Sequence, residues 1–176
     1  MKIEKILLAV VGVCLVGLGG YWVSKNTKKT ASSYDGNKLT EELKNSVKYP
    51  ERLVLSPDPS NKEKVQLSYT YLSDEDGEVV AEEILTTMKN FYTTINKEQA
   101  PVSLITIVSF NPKTKKPLRL LLGSEIAAQN ADILNGKTST VIVALKQKCQ
   151  GTRADVLATF CNVSDALVES AMGDKK

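Results

Sequence analysis

The spacing of apolar residues after position 38 predicts a chain of alternating helices and strands. Apolar side chains recur every four residues in 39–47 and every three or four in 78–96, which is the spacing of one helix face. In 65–73, apolar and polar residues alternate as in a strand with one buried face. The stretch 102–110 is almost continuously apolar, which predicts a strand at the centre of a sheet.

Weaker patterns predict the remaining elements. Strands are expected at 52–56, 117–123 and 139–148, and helices at 125–134 and 152–171. The polar turn between 102–110 and 117–123 predicts that these two strands form a β-hairpin. The acidic segment DEDGE (74–78) resembles the start of a calcium loop, but its glycine falls at the fourth position instead of the sixth. We therefore interpret it as a strand-to-helix turn.

The order of these elements predicts an α+β fold with one antiparallel-rich sheet and helices packed on a face. Six consecutive elements follow the order β-α-β-β-α-β, so the ferredoxin-like arrangement is the candidate topology, with extra helices at both ends. A soluble part of about 150 residues is a normal length for one domain with its own core.

The N-terminal segment predicts a membrane anchor over residues 1–23. Residues 6–23 contain no charge, and as a helix they would extend roughly 27 Å, close to the hydrocarbon thickness of a bilayer. A removable signal peptide is the alternative, although its apolar region is usually shorter and Gly17 and Gly19 form a poor cleavage site. Lipidation at Cys14 is disfavoured because further apolar residues follow it.

The polar segment 24–37 predicts a flexible tether, followed by an exported domain over 38–176. A five-residue tail before the apolar stretch is typical of an anchor whose amino terminus stays in the cytoplasm, although the flanking lysines are nearly balanced. We therefore expect a single-pass protein of the cell inner membrane with its C-terminal domain in the periplasm.

Composition narrows the chemistry that is expected of this domain. The chain has 176 residues, a formal net charge of +3 and no histidine, and lysine outnumbers arginine 20 to 3. These features argue against a nucleic-acid partner and remove the commonest general base and zinc ligand. Because no phosphate loop or metal-ligand spacing is present either, we predict no catalytic residue, no cofactor, no metal and no enzymatic activity.

Two cysteines in the predicted domain suggest a disulfide. Cys149 lies at the end of the last predicted strand and Cys161 in the last predicted helix, so a bridge would join that helix to the sheet. Such a bond needs an oxidising compartment, in agreement with export. Unpaired thiols remain an alternative, whereas the eleven intervening residues disfavour a redox-active pair.

The most basic short stretch predicts a binding patch formed by Lys113, Lys115, Lys116 and Arg119. Its ligands would be anionic lipid headgroups or an acidic partner. The alternative is a solvated hairpin tip, where lysines occur because exposed turns are polar.

These features together predict an interaction or scaffold protein of the bacterial envelope, such as a component of secretion, conjugation or pilus machinery. Its expected partners are the membrane and other envelope proteins. An exported ligand-binding or sensor domain is one alternative, and it would require a cleft. A membrane-tethered hydrolase lacking histidine is the other, and it would require a deep pocket with a Ser–Lys or carboxylate pair.

Overall fold

The computed structural model describes residues 35–110, 116–153 and 155–173. The predicted anchor, most of the predicted tether, and Lys113 and Lys115 lie outside these residues. In the part of the chain that the structure describes, no helix combines the length and the apolar character needed to cross a bilayer.

The described residues contain one five-stranded sheet and five α-helices, so the mixed α+β fold is confirmed. The strands are β1 (Leu53–Pro57), β2 (Val65–Leu72), β3 (Val102–Phe110), β4 (Pro117–Gly123) and β5 (Cys161–Val163). The helices are α1 (Gly36–Asn45), α2 (Gly77–Lys97), α3 (Ser124–Gln129), α4 (Thr138–Lys148) and α5 (Asp165–Met172). Single 3-10 turns are formed by Pro50–Arg52, Ile133–Asn135 and Leu157–Thr159.

The strands lie side by side in chain order, from β1 at one edge to β5 at the other. β2 and β3 are parallel because the long helix α2 connects them, and the other neighbours are antiparallel. The predicted hairpin of β3 and β4 and the central position of β3 are confirmed.

The core lies between the sheet and the helices on one of its faces. Side chains along β3 and β4 point alternately to the two faces of the sheet. On the face beneath the helices, Ile105 and Ile107 of β3 and Leu120 and Leu122 of β4 are buried. α2 packs on β3, α5 on β4 and α4 on β5, while α1 packs on α2. Seven side chains on one stripe of α2 are buried: Val80, Ala81, Ile84, Leu85, Met88, Phe91 and Ile95.

The predicted strand at 139–148 is wrong, because this segment forms α4. Its buried side chains are Val141, Ile142 and Leu145, which lie on one face of a helix. A short run of β-branched and apolar residues fits a buried strand and a buried helix equally well, so periodicity could not separate them.

The predicted helix at 152–171 is also wrong over its first half. It contains a 3-10 turn, then β5, and only then α5. Ser164 explains the late start of α5, because its hydroxyl accepts a hydrogen bond from the Leu167 N–H and caps the helix. The single helix predicted at 125–134 is divided in the structure. Its first part forms α3, which ends at Gln129, and a separate 3-10 turn follows at Ile133–Asn135.

The ferredoxin-like topology that the order of elements predicted is also wrong. In that arrangement, the two parallel strands joined by a helix are separated by another strand. Here β2 and β3 are direct neighbours, from Gln66 beside Leu104 to Leu72 beside Phe110.

Candidate functional site

The sheet face opposite the core carries an exposed groove, which we call the open face. Its volume is about 580 Å³. The described residues that line it are Thr70, Thr106, Val108, Phe110, Arg119, Leu121, Phe160 and Asn162. None of these lining residues is acidic, and Arg119 is the charged one among them. Leu72, beside Phe110 in the sheet, extends the same face and is 55% exposed.

One end of the open face is closed by the 3-10 turn Leu157–Thr159. A Cβ atom at Gly123 would lie 2.3 Å from the carbonyl oxygens of Leu157 and Ala158, so the turn lies directly on the end of β4. The Gly123 N–H also donates to the Phe160 carbonyl at 2.7 Å. The groove therefore opens toward the other end of the sheet, where Phe110 is 36% exposed.

The outer edge of β5 is closed by side chains. The Thr152 hydroxyl accepts from the Cys161 N–H at 3.2 Å and donates to the Cys161 carbonyl at 2.9 Å. The Lys146 ammonium donates to the Val163 carbonyl at 2.6 Å. These groups occupy the positions that a further strand would pair with.

The outer edge of β1 is also a poor template for another strand. The Asp58 N–H donates to the Lys64 carbonyl, so the backbone groups of Asp58 point toward β2. In an antiparallel ladder, alternate residues point toward and away from the neighbouring strand. The backbone groups of Leu53, Leu55 and Pro57 therefore point outward. Pro57 has no N–H, and the Leu53 N–H already donates to the Pro50 carbonyl. An incoming strand would therefore find one free donor, at Leu55.

The basic patch predicted from the sequence is only partly located. Lys113 and Lys115 lie outside the described residues. Lys116 precedes β4, and its ammonium lies 3.8 Å from the exposed Glu169 carboxylate. Arg119 lies on the open face beside Val108. Whether the four cations form one patch stays a prediction.

The predicted cysteine pair is at disulfide distance. The sulfur atoms of Cys149 and Cys161 are 2.09 Å apart. The bond joins a helix to the sheet, although the partners are exchanged relative to the prediction. Cys149 follows α4 and Cys161 begins β5.

A second concave site, which we call the carboxyl-end cavity, lies where β2 ends and α2 begins. Its volume is about 360 Å³. Its aromatic lining is formed by Tyr49, Tyr69 and Tyr71, and its acidic lining includes Asp74, Glu82 and Glu83. The segment 74–78 is the strand-to-helix turn that the sequence predicted, since Gly77 begins α2. Among the described residues, no group of three histidine, cysteine or acidic side chains is placed to hold a metal.

The tyrosines of the cavity are held by packing and burial. The Tyr69 and Tyr71 rings stack with their centroids 5.2 Å apart, and the Tyr69 hydroxyl accepts from the Tyr49 N–H at 3.3 Å. Tyr71 is 5% exposed, and its hydroxyl makes no hydrogen bond of good geometry with the described residues, although the Ser109 and Glu83 side chains lie within reach of it. Burial raises the pKa of Tyr71, and the negative charge of Glu83 adds to this, so the hydroxyl stays protonated.

Asp58 is a buried acid whose pKa is clearly lowered. Hydrogen bonds from the Ser103 and Ser60 hydroxyls lower its pKa to about 2, against the opposing effect of burial. The Ser60 and Asn61 N–H groups also donate to the same carboxylate. This carboxylate therefore shapes the turn between β1 and β2, and it lines neither the open face nor the carboxyl-end cavity.

The sequence analysis identified Arg119 but missed both concave sites. The open face depends on which strand neighbours are adjacent, and the sequence does not state this. One signal for the cavity was available, because residues 65–88 contain six acidic and no basic side chains.

No protein-family model, curated protein or solved structure matches this chain. Its function is therefore inferred from its own residues.

Proposed function

We propose that this protein is a membrane-anchored interaction or scaffold protein of the cell envelope. Its exported domain would dock an apolar partner segment that carries acidic residues. The observation that carries the proposal is the open face, a groove with apolar walls, one arginine and no acidic lining residue among the residues described.

The exposure of apolar side chains supports docking on this face. Leu72 is 55% exposed and Phe110 is 36% exposed, although the helices cover the opposite face of the same sheet. Contiguous apolar surface on a folded domain is typical of a binding site. Because both sheet edges are poor templates for pairing, an incoming segment would gain most by packing across the face.

The charge of the face indicates what kind of segment would bind. Arg119 lies within the groove, and the lysines of the β3–β4 hairpin follow Phe110 in the chain. An acidic partner would complement these cations, which favours both encounter and correct orientation. A second copy of the chain is a poorer occupant, because its own open face would bring a second arginine and no acidic lining residue to complement the first.

The predicted anchor supports a role close to the membrane. A tether of 14 residues in 24–37 reaches at most about 50 Å when fully extended. Confinement within that distance raises the effective concentration of the domain for neighbouring envelope proteins. The cysteine pair agrees with export, because disulfides persist in oxidising compartments.

Site-specific photocrosslinking in intact cells tests this proposal. A photoreactive residue at Thr70 or Leu121 would lie in the groove, and one at the exposed Glu41 of α1 is the control. We expect one shared adduct from the two groove positions and none from Glu41. Mass spectrometry should place the crosslink in an apolar partner segment with acidic residues, and Arg119→Glu should remove the adduct.

Several outcomes would contradict the proposal. If a photoreactive residue at Glu41 gave the same adduct in equal yield, the partner would not bind selectively at the groove. Adducts that persist with Arg119→Glu, or that have twice the mass of the chain, would exclude an acidic heterologous partner.

The ligand-binding alternative is favoured by one specific observation, the carboxyl-end cavity. The hydrolase alternative would have to use the carboxylates of the same cavity, and no observation among the described residues singles out a catalytic pair there.

A further inference from the structure

We propose that the carboxyl-end cavity binds a small organic cation with a primary ammonium group. This inference is independent of the docking role of the open face. It depends on the charge of the cavity, its aromatic lining and one unsatisfied buried hydroxyl.

The cavity has a strongly acidic lining. Four carboxylates line it, against a single ammonium group, that of Lys48. The Lys48 nitrogen lies 5.4 Å from the centroid of the Tyr49 ring, so this cation already has a favourable neighbour. The lining therefore favours a positively charged ligand over a neutral or negative one.

Aromatic rings complement the carboxylates. Tyr49, Tyr69 and Tyr71 all line the cavity, and the last two are stacked on each other. The face of a tyrosine ring attracts cations through its quadrupole. Lys48 and Arg52 both lie over the Tyr49 ring, so the aromatic and acidic lining of this cavity accommodates cationic groups.

The hydroxyl of Tyr71 can accept a hydrogen bond from a ligand. The residue is 5% exposed, and its hydroxyl makes no hydrogen bond of good geometry, although the Ser109 and Glu83 side chains lie within reach of it. Buried polar groups nearly always have a hydrogen-bond partner. An ammonium group carries three donors, and the Tyr71 oxygen and the nearby Glu83 carboxylate offer two acceptors for them.

The place of the cavity in the fold agrees with a ligand site. It lies outside the carboxyl end of β2, a strand whose parallel neighbour is β3. A loop and the start of α2 follow this end of the strand and form part of the cavity wall. A volume of about 360 Å³ is also within the range of small-ligand pockets.

Calorimetric titration of the full chain in detergent micelles tests the proposal. The probe is 1,5-diaminopentane, and 1-pentanol is the uncharged control. We expect saturable binding of the diamine and none of the alcohol. Tetramethylammonium, which has no N–H donor, should bind at least about tenfold more weakly than the diamine if hydrogen bonds to Tyr71 and Glu83 contribute.

Two conservative variants locate the binding site. Tyr71→Phe removes only the hydroxyl, and Glu83→Gln removes only the charge; each should weaken diamine binding about tenfold. Glu41→Gln, at an exposed carboxylate of α1, should leave it unchanged. Circular dichroism should show that all three variants remain folded. Phe110→Asp on the open face should also leave diamine binding unchanged, which separates this site from the docking surface.

The proposal would be overturned by any of three results. The diamine could show no saturable binding at millimolar concentration. The alcohol could bind as tightly as the diamine. Finally, Glu41→Gln could weaken binding as much as Glu83→Gln, which would indicate nonspecific attraction to surface charge.

Discussion

At the scale of single residues, this domain uses polar side chains to finish backbone hydrogen bonding where regular structure ends. Ser164 caps α5 and also accepts from the Arg119 N–H at 3.0 Å. Thr152 satisfies both backbone groups of Cys161 at the sheet edge. Asp58 holds the turn between β1 and β2. None of these three residues was singled out from the sequence for this role, because each acts on backbone groups that only the fold brings close.

The lowered pKa of Asp58 should contribute to the loss of stability of the domain in acid. Its pKa falls from an ordinary 3.8 to about 2 in the folded state, so the folded state binds the proton less tightly than the unfolded state. The stabilisation is therefore fully present above about pH 4 and is lost as the pH falls toward 2. In Asp58→Asn, chemical denaturation should give lower stability at pH 7 and a weaker loss between pH 4 and pH 2.

The control for this measurement is Asp132→Asn, at an exposed carboxylate. This variant should keep the full pH dependence of the parent protein. If Asp58→Asn showed the same slope as the parent, the hydrogen bonds to this carboxylate would not stabilise the turn.

At the scale of elements, long periodic segments were predicted well and short apolar segments were not. α1, α2 and the four strands from β1 to β4 formed within a few residues of their predicted bounds. The stripe of α2 repeats over 21 residues, so few other structures could bury it. The run over 139–148 is short, and its packing against α5 and β5 decided that it became a helix.

A substitution at Gly123 tests how closely the 3-10 turn Leu157–Thr159 packs on β4. Gly123→Ala would place a methyl group 2.3 Å from two carbonyl oxygens of the backbone, so the turn must move away from the sheet. We expect a loss of about 1–3 kcal/mol in the free energy of unfolding, measured by chemical denaturation.

Gly151→Ala is the matched control, because nothing lies within 4 Å of the added methyl group but the backbone φ is +83°. It should cost about 1 kcal/mol through backbone strain alone. A smaller effect at Gly123 than at Gly151 would mean that the turn yields easily and does not close the groove.

At the scale of the whole molecule, helices cover one face of the sheet and leave most of the other exposed. The disulfide connects the end of α4 to β5 within the covered side of the fold. β5 has only three residues and lies at the edge, and this bond and Thr152 hold it in place together with its ladder to β4. Side chains thus reinforce the far edge of the sheet.

Removal of the disulfide should destabilise the entire domain. For a loop closed by residues 12 apart, the chain-entropy estimate is about 3 kcal/mol. The double variant Cys149→Ser/Cys161→Ser should therefore unfold at a clearly lower denaturant concentration than the parent. Reduction of the parent should lower its midpoint to a similar value, whereas reduction of the double variant should change nothing. Equal midpoints for the parent and the double variant would contradict a stabilising bond.

The sequence by itself determined the fold class, the main helices and strands and the cysteine pair, because hydrophobic periodicity and residue chemistry are local properties of the chain. The anchor, the exported location and the scaffold role stay predictions. Tertiary structure alone decided that β2 and β3 are direct neighbours, that 139–148 is a helix, and that the open face and the carboxyl-end cavity exist. These features arise from contacts between segments distant in the chain, and their energies are absent from any local pattern.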